Sequence, residues 1–515
     1  MNLAYKDIII SIMKLKPLLI ITLLAANLAF AENSAKPTLS NKPLNADVKG
    51  PTNLDTSLPD LGDISQTVLT PQDEQRIAEQ ILREVAVSDD VLQDAEVTDY
   101  LQALGSKLAA ASPDKQQVFN FFVVRDNSIN AFAMPGGVIG VHTGLILASN
   151  TESELASVLG HEVGHVTQRH LARMLAQQKY DTFKNIAGIA LALLVSRANP
   201  ELANGALAAS SAATVQRQLD YTREHEREAD RVGLSILDNA GFDARGMPAF
   251  FTTMQRGTRF SEGSAPSFLR THPLTAERIA DVSNRVESMP YKQVADSFEF
   301  NLVKAKLRAG DGLAQAAIDQ FTNNLLERRF TNESAEHYGL ALAMLRKNDL
   351  TGATNQLKLL RAKGQKHAFI ENLAARIEVA KNNPQAAASQ YAKALSLYPK
   401  HRSLVYGYAE HFLAVNQPDK AIQLVQDKKA LYPNDAYFYE LLAKAYSTKN
   451  KKLLSFQAQG EAYYRKYNLK KAIEQMEFAA KANDGNFYEH SIVEARLKDF
   501  RRLQENEKLA DERLS

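Results

Sequence analysis

Apolar residues recur at helical spacing along most of this chain, and short runs of β-branched and aromatic residues interrupt them between residues 118 and 142. "TPQDEQRIAEQILREV", with a Thr N-cap signal, and "VTDYLQALGSKLAAA" predict two helices. "VFNFFVVRD" predicts a strand, and a second short strand is predicted at Val138–His142, after a Pro-Gly-Gly turn. Further helices are predicted at "LASVLGHEVGHVTQRHLARM" and at about 219–240. This order of elements predicts an α+β domain with a small sheet.

The pattern in the C-terminal part is purely helical and repetitive. Four asparagines follow one another at intervals of 34 residues: Asn348, Asn382, Asn416 and Asn450. An alanine stands five residues after each of the first three. This period, with a small residue at a helix contact, resembles the tetratricopeptide repeat, whose stacked hairpins form surfaces that hold other proteins. Helical hairpins without the repeat geometry are the alternative, and the boundaries of the last repeats stay open, because Asn468 follows Asn450 by 18 residues.

The N-terminus carries the three parts of a secretory signal peptide. A basic start at Met13–Lys16 is followed by roughly a dozen apolar residues and a small-x-small site that ends at Ala31. We expect cleavage after Ala31 and export to the periplasm, because the apolar run is short for a bilayer span; a retained membrane anchor is the alternative. Residues 32–66 contain four prolines and no aromatic residue, which predicts a flexible leader. The predicted order is signal peptide 1–31, leader 32–66, a first folded domain 67–290 and an all-α repeat domain 291–515.

Composition excludes several classes of protein. The net charge is +2 over 515 residues, and no cluster of Lys and Arg is interleaved with aromatic residues, so nucleic-acid binding is not expected. The chain has no cysteine, hence no lipid-attachment cysteine after the signal and no disulfide framework. An exported chain of this length must therefore depend on ordinary hydrophobic cores, and on more than one of them.

The predicted helix at 155–174 carries a candidate metal site. His161 and His165 are four residues apart on one helix face, so both imidazoles can reach one ion. Two imidazoles and a carboxylate suit one zinc ion per chain, and zinc activates a water for attack on a peptide carbonyl. Glu162, directly after the first histidine, is then the predicted catalytic base. The alternative is a helix that carries two histidines by chance.

A third ligand is expected from "YTREHEREADRVG", residues 221–233. Glu226 and Asp230 are four residues apart and share a helix face. This predicts Glu226 on the metal and Asp230 behind it, accepting a hydrogen bond from a ligand histidine. Glu228 is the alternative ligand, and a charged helix face in solvent is the alternative for the whole run.

The H-E-x-x-H sequence at His161 and the later E-x-E-A-D sequence at Glu226 together resemble the zinc endopeptidase family of HtpX and the CAAX prenyl protease. The resemblance implies a mainly helical, zincin-like (gluzincin) metalloprotease domain, with Glu226 as zinc ligand and Asp230 among the catalytic residues. It also implies that substrate adds as an extra strand to a sheet edge; a plain hairpin is the alternative. The residues implied for this edge are Val138, Ile139, Gly140 and Val141.

The combination of export signal, protease domain and repeats is similar to a family of periplasmic protease-chaperones of outer-membrane assembly. The similarity covers nearly the whole mature chain. It implies hydrolysis, or assisted folding, of unfolded or stalled outer-membrane β-barrel proteins, and contact with the β-barrel assembly machinery through the repeats. The alternative is a non-proteolytic chaperone or adaptor whose metal site is dormant.

Three smaller features complete the predictions. The resemblance implies that His272, in "LRTHPLTAERIAD", is a fourth zinc ligand that gates the site or a group that steadies the oxyanion; a plain loop histidine is the alternative. The apolar segment 184–215 predicts a helical lid or a buried core helix, with peripheral membrane contact as the weaker option. His170 and His225 point off the ligand faces, which predicts structural or surface roles.

Overall fold

The computed structural model describes residues 69–177, 223–259 and 267–512, which all belong to one compact unit, Gly62–Ser515. The predicted signal peptide and leader and the apolar segment 184–215 lie outside the described residues. The first part of the described chain surrounds a small sheet with helices. Its elements are α1 (Pro71–Val85), α2 (Ala95–Ala110), β1 (Asn120–Val124), β2 (Ala131–Met134), β3 (Val138–His142), α3 (Thr143–Ala148), α4 (Glu152–Thr167), α5 (His170–Gln177), α6 (Arg223–Asn239), α7 (Gly246–Arg259), α8 (Ser267–Thr271) and α9 (Ala276–Glu287).

β3 is the central strand of the sheet, whose order is β1–β3–β2. β1 pairs with β3 in parallel and β2 pairs with it antiparallel. The predicted edge strand is therefore wrong, because both sides of these residues are paired: Val138, Ile139, Gly140 and Val141. The hairpin of β2 and β3 could be recognised from its turn. The parallel pairing of β1 with β3 is non-local, and it leaves no turn signal in the sequence.

The open edge of the sheet, within the described residues, is β2. The outer side of β1 is covered, because the Leu92 N–H donates to the Val123 carbonyl at 2.8 Å. The His142 N–H donates to the Asn130 carbonyl at 3.0 Å, which makes these two residues a hydrogen-bonded pair of the β2–β3 ladder. Bonded pairs alternate along an antiparallel ladder, so Ala131 and Ala133 turn their N–H and C=O groups away from β3.

The turn between β2 and β3 is held directly against α1. Residues Pro135–Gly137 form a short 3-10 turn in which Gly136 has a φ of 72°. A Cβ at Gly136 would lie 2.6 Å from both the Glu74 carbonyl oxygen and the Ala78 Cβ. Glycine is therefore required here both for the left-handed backbone and for the close packing of α1 on the turn.

The second part of the described chain is a series of helical hairpins. The prediction of an α+β domain followed by all-α repeats is confirmed. None of the helices in the described ranges combines the length and the apolar content of a bilayer span. The hairpin helices are α10 (Phe298–Gly310), α11 (Ala314–Leu326), α12 (Glu333–Arg346), α13 (Leu350–Ala362), α14 (Ala368–Ala380), α15 (Pro384–Leu397), α16 (Arg402–Ala414), α17 (Pro418–Lys428), α18 (Ala436–Thr448), α19 (Lys452–Arg465), α20 (Leu469–Ala480) and α21 (Phe487–Glu512).

The 34-residue period has a conformational cause. The four periodic asparagines each follow the first helix of a hairpin, and their φ angles lie between 55° and 64°. A left-handed residue just after a helix favours Gly or Asn, so the asparagine recurs with the hairpin. After α19 the left-handed position falls on Tyr467, with a φ of 57°, and Asn468 instead caps α20. The period is lost there because α20 follows α19 through this short turn.

Repeat helices pack onto the acidic start of α2. Lys306 of α10 lies 2.5 Å from Glu96, and the Asn372 amide of α14 donates to Glu96 at 2.7 Å. The Arg402 Nε of α16 donates to Asp99 at 3.2 Å. Three separate repeat helices thus contact the same helix of the first part. The boundary predicted after residue 290 falls in the connection between α9 and α10.

A pH-dependent contribution to stability is expected near this contact. Burial, together with the nearby His401, lowers the pKa of His367 to about 4. The unfolded chain binds this proton near ~pH 6.5, so the contribution is complete above that pH and is lost as the pH falls towards 4. We expect the free energy of unfolding to fall by about 1 kcal/mol between pH 7 and pH 5.5 through His367 alone, after allowance for its partial exposure. Denaturant titrations at both pH values should show a smaller fall in the free energy of unfolding for His367→Asn than for the unmodified protein. An equal fall in the two proteins would contradict the assignment to His367.

Candidate metal centre

α4 and α6 approach each other closely because glycines face one another across the contact. Gly160 and Gly164 lie on α4, and Gly233 lies on α6. A Cβ on Gly233 would lie 2.9 Å from the Cα and the N of His161, closer than real Cβ contacts. The two backbones can therefore touch. This contact brings the carboxylates of α6 within reach of the histidines of α4.

Four buried side chains converge at this contact: His161, His165, Glu226 and His272. One donor atom from each lies within 4.8 Å of the others. The Nε2 atoms of His161 and His165 are 3.0 Å apart. The Oε1 atom of Glu226 lies 3.4 Å from His165 Nε2 and 3.0 Å from His272 Nδ1. The structure thus brings together the three ligands predicted from the sequence and the predicted fourth ligand or gate.

The charges of these side chains suit a cation. Burial lowers the pKa of His165 to about 3, which keeps its imidazole neutral. Burial works in the opposite direction on Glu226, but His272 and the two ligand histidines outweigh it and hold the pKa of this carboxyl well below its usual range. At His161 the carboxylates of Asp230 and Glu226 outweigh burial and raise the pKa to about 9. Histidine rings and an ionised carboxylate are the side chains that bind zinc once the rings are deprotonated.

Glu162 lies beside this group and is almost fully buried. Both carboxylate oxygens are buried and have no hydrogen-bond partner in the described part of the chain. His272 Nε2 lies 3.5 Å from Glu162 Oε1 and lowers the pKa of this carboxyl. The Ala133 N–H of β2 also lowers the pKa of Glu162, although it lies outside regular hydrogen-bond geometry. Burial outweighs these neighbours and raises the pKa. A buried carboxylate of this kind is suited to take a proton from a water.

Asp230 lies behind His161 and not among the converging donor atoms. Its Oδ1 is 2.9 Å from His161 Nδ1, as the sequence predicted for a carboxylate that fixes the imidazole. Asp230 was also named among the catalytic residues, and in the structure its carboxylate contacts His161 and not the converging donor atoms. Arg278, which the sequence analysis missed, donates to both Asp230 oxygens at 2.7 and 2.8 Å and lies 2.7 Å from Glu226 Oε2. One guanidinium therefore aligns both carboxylates of α6.

His170 was predicted to be structural or on the surface, and the structure buries it behind His165. Its Nδ1 is 2.9 Å from His165 Nδ1, and its Nε2 is 3.1 Å from Glu228. Glu228, the alternative ligand, is thus paired on the far side of His170 and is not in the donor group. His170 is thus structural and outside the donor group, and it reaches the back of His165 because α4 ends at Thr167, Arg169 adopts a φ of 52° and His170 begins a new helix. His225 stacks on His170, with ring centroids 4.6 Å apart.

The donor set fits zinc. Two imidazoles and a carboxylate surround one point, a third imidazole faces the remaining position, and all four donors are nitrogen or oxygen. A buried carboxylate that can act as a base stands next to them. A small sheet packed on the helix that carries H-E-x-x-H, with this centre, defines a zinc metallopeptidase.

Comparisons with known proteins agree with this class. The model of peptidase family M48 matches residues 95–286, and a tetratricopeptide repeat model matches residues 378–445. The putative β-barrel assembly-enhancing protease of Vibrio cholerae is 34% identical over 420 residues, which cover 81% of this chain and 86% of the relative. The β-barrel assembly-enhancing protease of Escherichia coli K12 is 30% identical over 453 residues, covering 87% of this chain and 92% of the relative. Metalloprotease YcaL of Escherichia coli is 30% identical over 174 residues, covering 33% of this chain and 63% of the relative.

The chain belongs to the family of β-barrel assembly-enhancing proteases, which are M48 metallopeptidases with tetratricopeptide repeats. It is a zinc-dependent metalloendopeptidase. The resemblance inferred from H-E-x-x-H, E-x-E-A-D and the 34-residue period is confirmed.

Proposed function

We propose that this chain hydrolyses peptide bonds of unfolded or stalled outer-membrane β-barrel proteins in the periplasm and also assists their assembly. The observation that carries the enzymatic part is the buried carboxylate of Glu162, which accepts no regular hydrogen bond within the described residues and lies beside the converging donors. The predicted signal peptide, cleaved after Ala31, supports the periplasmic location. The names of the relatives, β-barrel assembly-enhancing proteases, support the class of client.

The roles of the site residues follow from their positions. His161, His165 and Glu226 hold the ion, which supplies Lewis acidity that acidifies a water and polarises the scissile carbonyl. Glu162 takes the proton from the attacking water and delivers it to the leaving amine. Asp230 keeps the Nδ1 of His161 hydrogen-bonded, so its Nε2 stays directed at the ion.

Substrate is proposed to add to β2, in place of the β3 edge implied by the sequence. The N–H and C=O groups of Ala131 and the C=O of Ala133 point away from β3, and HN–CO pairing with an extended peptide is proposed for them, since none of them has a backbone partner in the described ranges. The Ala133 N–H also faces Glu162, so a strand paired there passes beside the base. Main-chain hydrogen bonds of this kind recognise extended chains of many sequences, which suits unfolded clients.

His272 is proposed to occupy the fourth zinc position at rest and to leave it when substrate binds. Its Nδ1 lies 3.0 Å from Glu226 and 3.4 Å from His161 Nε2, inside the donor group. We expect His272→Ala to raise basal cleavage of casein by about fivefold or more, because the position then stays open to substrate. Initial rates at equal zinc content measure this. Loss of activity would instead support the oxyanion role, and unchanged activity would leave His272 a plain loop histidine.

The repeats are proposed to hold a protein partner, either the client or the β-barrel assembly machinery. Stacked helical hairpins of this type present extended surfaces to other proteins. Part of the repeat surface is already occupied by α2, through Glu96 and Asp99. α1 also contacts the turn between α19 and α20, where Arg83 Nε donates to the Tyr467 carbonyl at 2.6 Å. The rest of the surface of the later hairpins, from α17 onwards, is proposed for the external partner.

Metal removal separates the endopeptidase from the non-proteolytic chaperone. We expect a chelator to abolish cleavage of an unfolded substrate such as casein, and stoichiometric zinc to restore it, because the ion supplies the Lewis acid. Aggregation of the client, measured in the same samples, should still be suppressed after chelation, because the proposed binding by the repeats does not need the ion. Cleavage that is absent before and after zinc addition, with aggregation still suppressed, would favour the chaperone alone.

A further inference from the structure

A small cavity opens beside the metal centre, where the end of β2 meets α1, α4 and α5. His165, one of the zinc ligands, contributes to its lining. Its apolar lining includes Met134 of β2 and Leu171 and Ala172 of α5. The cavity has a volume of about 20 Å³, which is room for roughly one water or one methyl group.

The polar end of the cavity is held in place by an arginine. Arg169 Nη2 donates to the Leu69 carbonyl at 2.5 Å and to the Glu74 carboxylate at 3.0 Å. The residue itself has a φ of 52°, at the break between α4 and α5. Two anchors on the guanidinium and a fixed backbone turn keep this side chain from moving aside to enlarge the cavity.

The cavity adjoins the open edge of β2, because Ala133 and Met134 both line it. Residues opposite one another in neighbouring strands project their side chains from the same face of the sheet. A substrate residue opposite Met134 therefore directs its side chain towards the cavity, next to His165. A substrate strand antiparallel to β2 runs from Met134 towards Ala131. With the cleaved bond placed beside Ala133 and Glu162, the substrate residue opposite Met134 is the one on the amino side of that bond.

We propose that this cavity is the subsite for the client residue immediately on the amino side of the cleaved bond, and that it admits side chains the size of alanine or serine. The walls formed by Met134, Leu171 and Ala172 set the size limit, and the anchored Arg169 sets the depth. This inference rests on the proposed endopeptidase function and adds a substrate preference to it. Preferred cleavage sites are then small residues within extended segments.

Peptide cleavage tests the size limit. A matched series that differs only at this position, with Ala, Ser, Leu or Phe, is cleaved by the zinc-loaded full-length protein. We expect Ala and Ser to exceed Leu and Phe in kcat/KM by about tenfold or more. Leu171→Ala widens the cavity and should raise kcat/KM for the Leu peptide towards the value for the Ala peptide. Ala172→Val narrows the cavity and should lower kcat/KM for the Ala peptide. Leu82→Ala is the control, because Leu82 packs on the same apolar cluster as Leu171 but does not line the cavity.

Binding of the same peptides to zinc-loaded Glu162→Gln, measured by fluorescence anisotropy, gives a second readout that does not need turnover. The Ala peptide should bind more tightly than the Phe peptide. Adding Leu171→Ala to the Glu162→Gln variant should reduce this difference in affinity. Equal affinities, no binding, or the same preference in Leu171→Ala and Leu82→Ala would overturn the subsite. Binding with the expected preference but no Glu162-dependent cleavage would overturn the proposed endopeptidase function, and the cavity would then be a binding pocket for small side chains without a cleaved bond beside it.

Discussion

Replacement of Glu162 by glutamine is expected to reduce kcat/KM for casein by about 10³-fold, while the variant retains one zinc ion per chain. The amide keeps the shape of the side chain but cannot accept the proton of the attacking water. Zinc should stay bound because Glu162 is not one of the four converging donors. Steady-state proteolysis and metal analysis of the same preparation give both quantities.

Glu224→Gln is the matched control for this experiment. Glu224 is exposed and lies on α6, two residues before the ligand Glu226. The control should keep the activity and zinc content of the unmodified protein, since its side chain is in solvent. Activity of Glu162→Gln within about tenfold of the unmodified protein would contradict the role of Glu162 as general base.

Gly233→Ala is expected to damage the metal centre without changing any ligand. The new Cβ would meet His161 Cα and N at 2.9 Å and the Gly160 carbonyl carbon at 3.0 Å, and backbone atoms cannot rotate away. α6 must then shift from α4 and take Glu226 with it. We expect the free energy of unfolding to fall by about 1–3 kcal/mol and the zinc affinity to fall by about tenfold or more.

Gly310→Ala supplies the comparison for this substitution. Gly310 ends α10 in solvent, and no atom lies within 4 Å of a Cβ placed there. The stability and zinc affinity of the Gly310→Ala variant should match those of the unmodified protein. Competition with a chromophoric chelator and denaturant titration measure the two quantities; equal zinc affinity in both variants would show that the glycine contact does not position Glu226.

The parts that the sequence predicted share a local physical cause. His161, His165 and the four-residue step from Glu226 to Asp230 could be placed because helix geometry alone puts such pairs on one face. The repeats could be recognised because each hairpin needs a left-handed residue after its first helix, and Asn meets that need at a fixed interval.

The parts that the sequence missed depend on contacts between distant segments. The position of β3 in the sheet is set by its pairing with β1, and Arg278 reaches Glu226 from a helix some fifty residues later. The contact of His170 with His165 was missed because the left-handed Arg169 breaks the helix between these two residues. Glycines at 160, 164 and 233 carried a signal for close helix contact, but only the structure shows that they face one another.

X-ray absorption at the zinc edge tests the metal centre most directly. The full-length protein should hold one zinc ion with four nitrogen or oxygen ligands at about 2.0–2.2 Å, three of them imidazoles. His272→Ala should lose one imidazole and keep the ion, and His161→Ala should lose the ion. Absence of bound zinc after reconstitution, or an unchanged spectrum in His161→Ala, would contradict the assignment of His161, His165, Glu226 and His272 to one site.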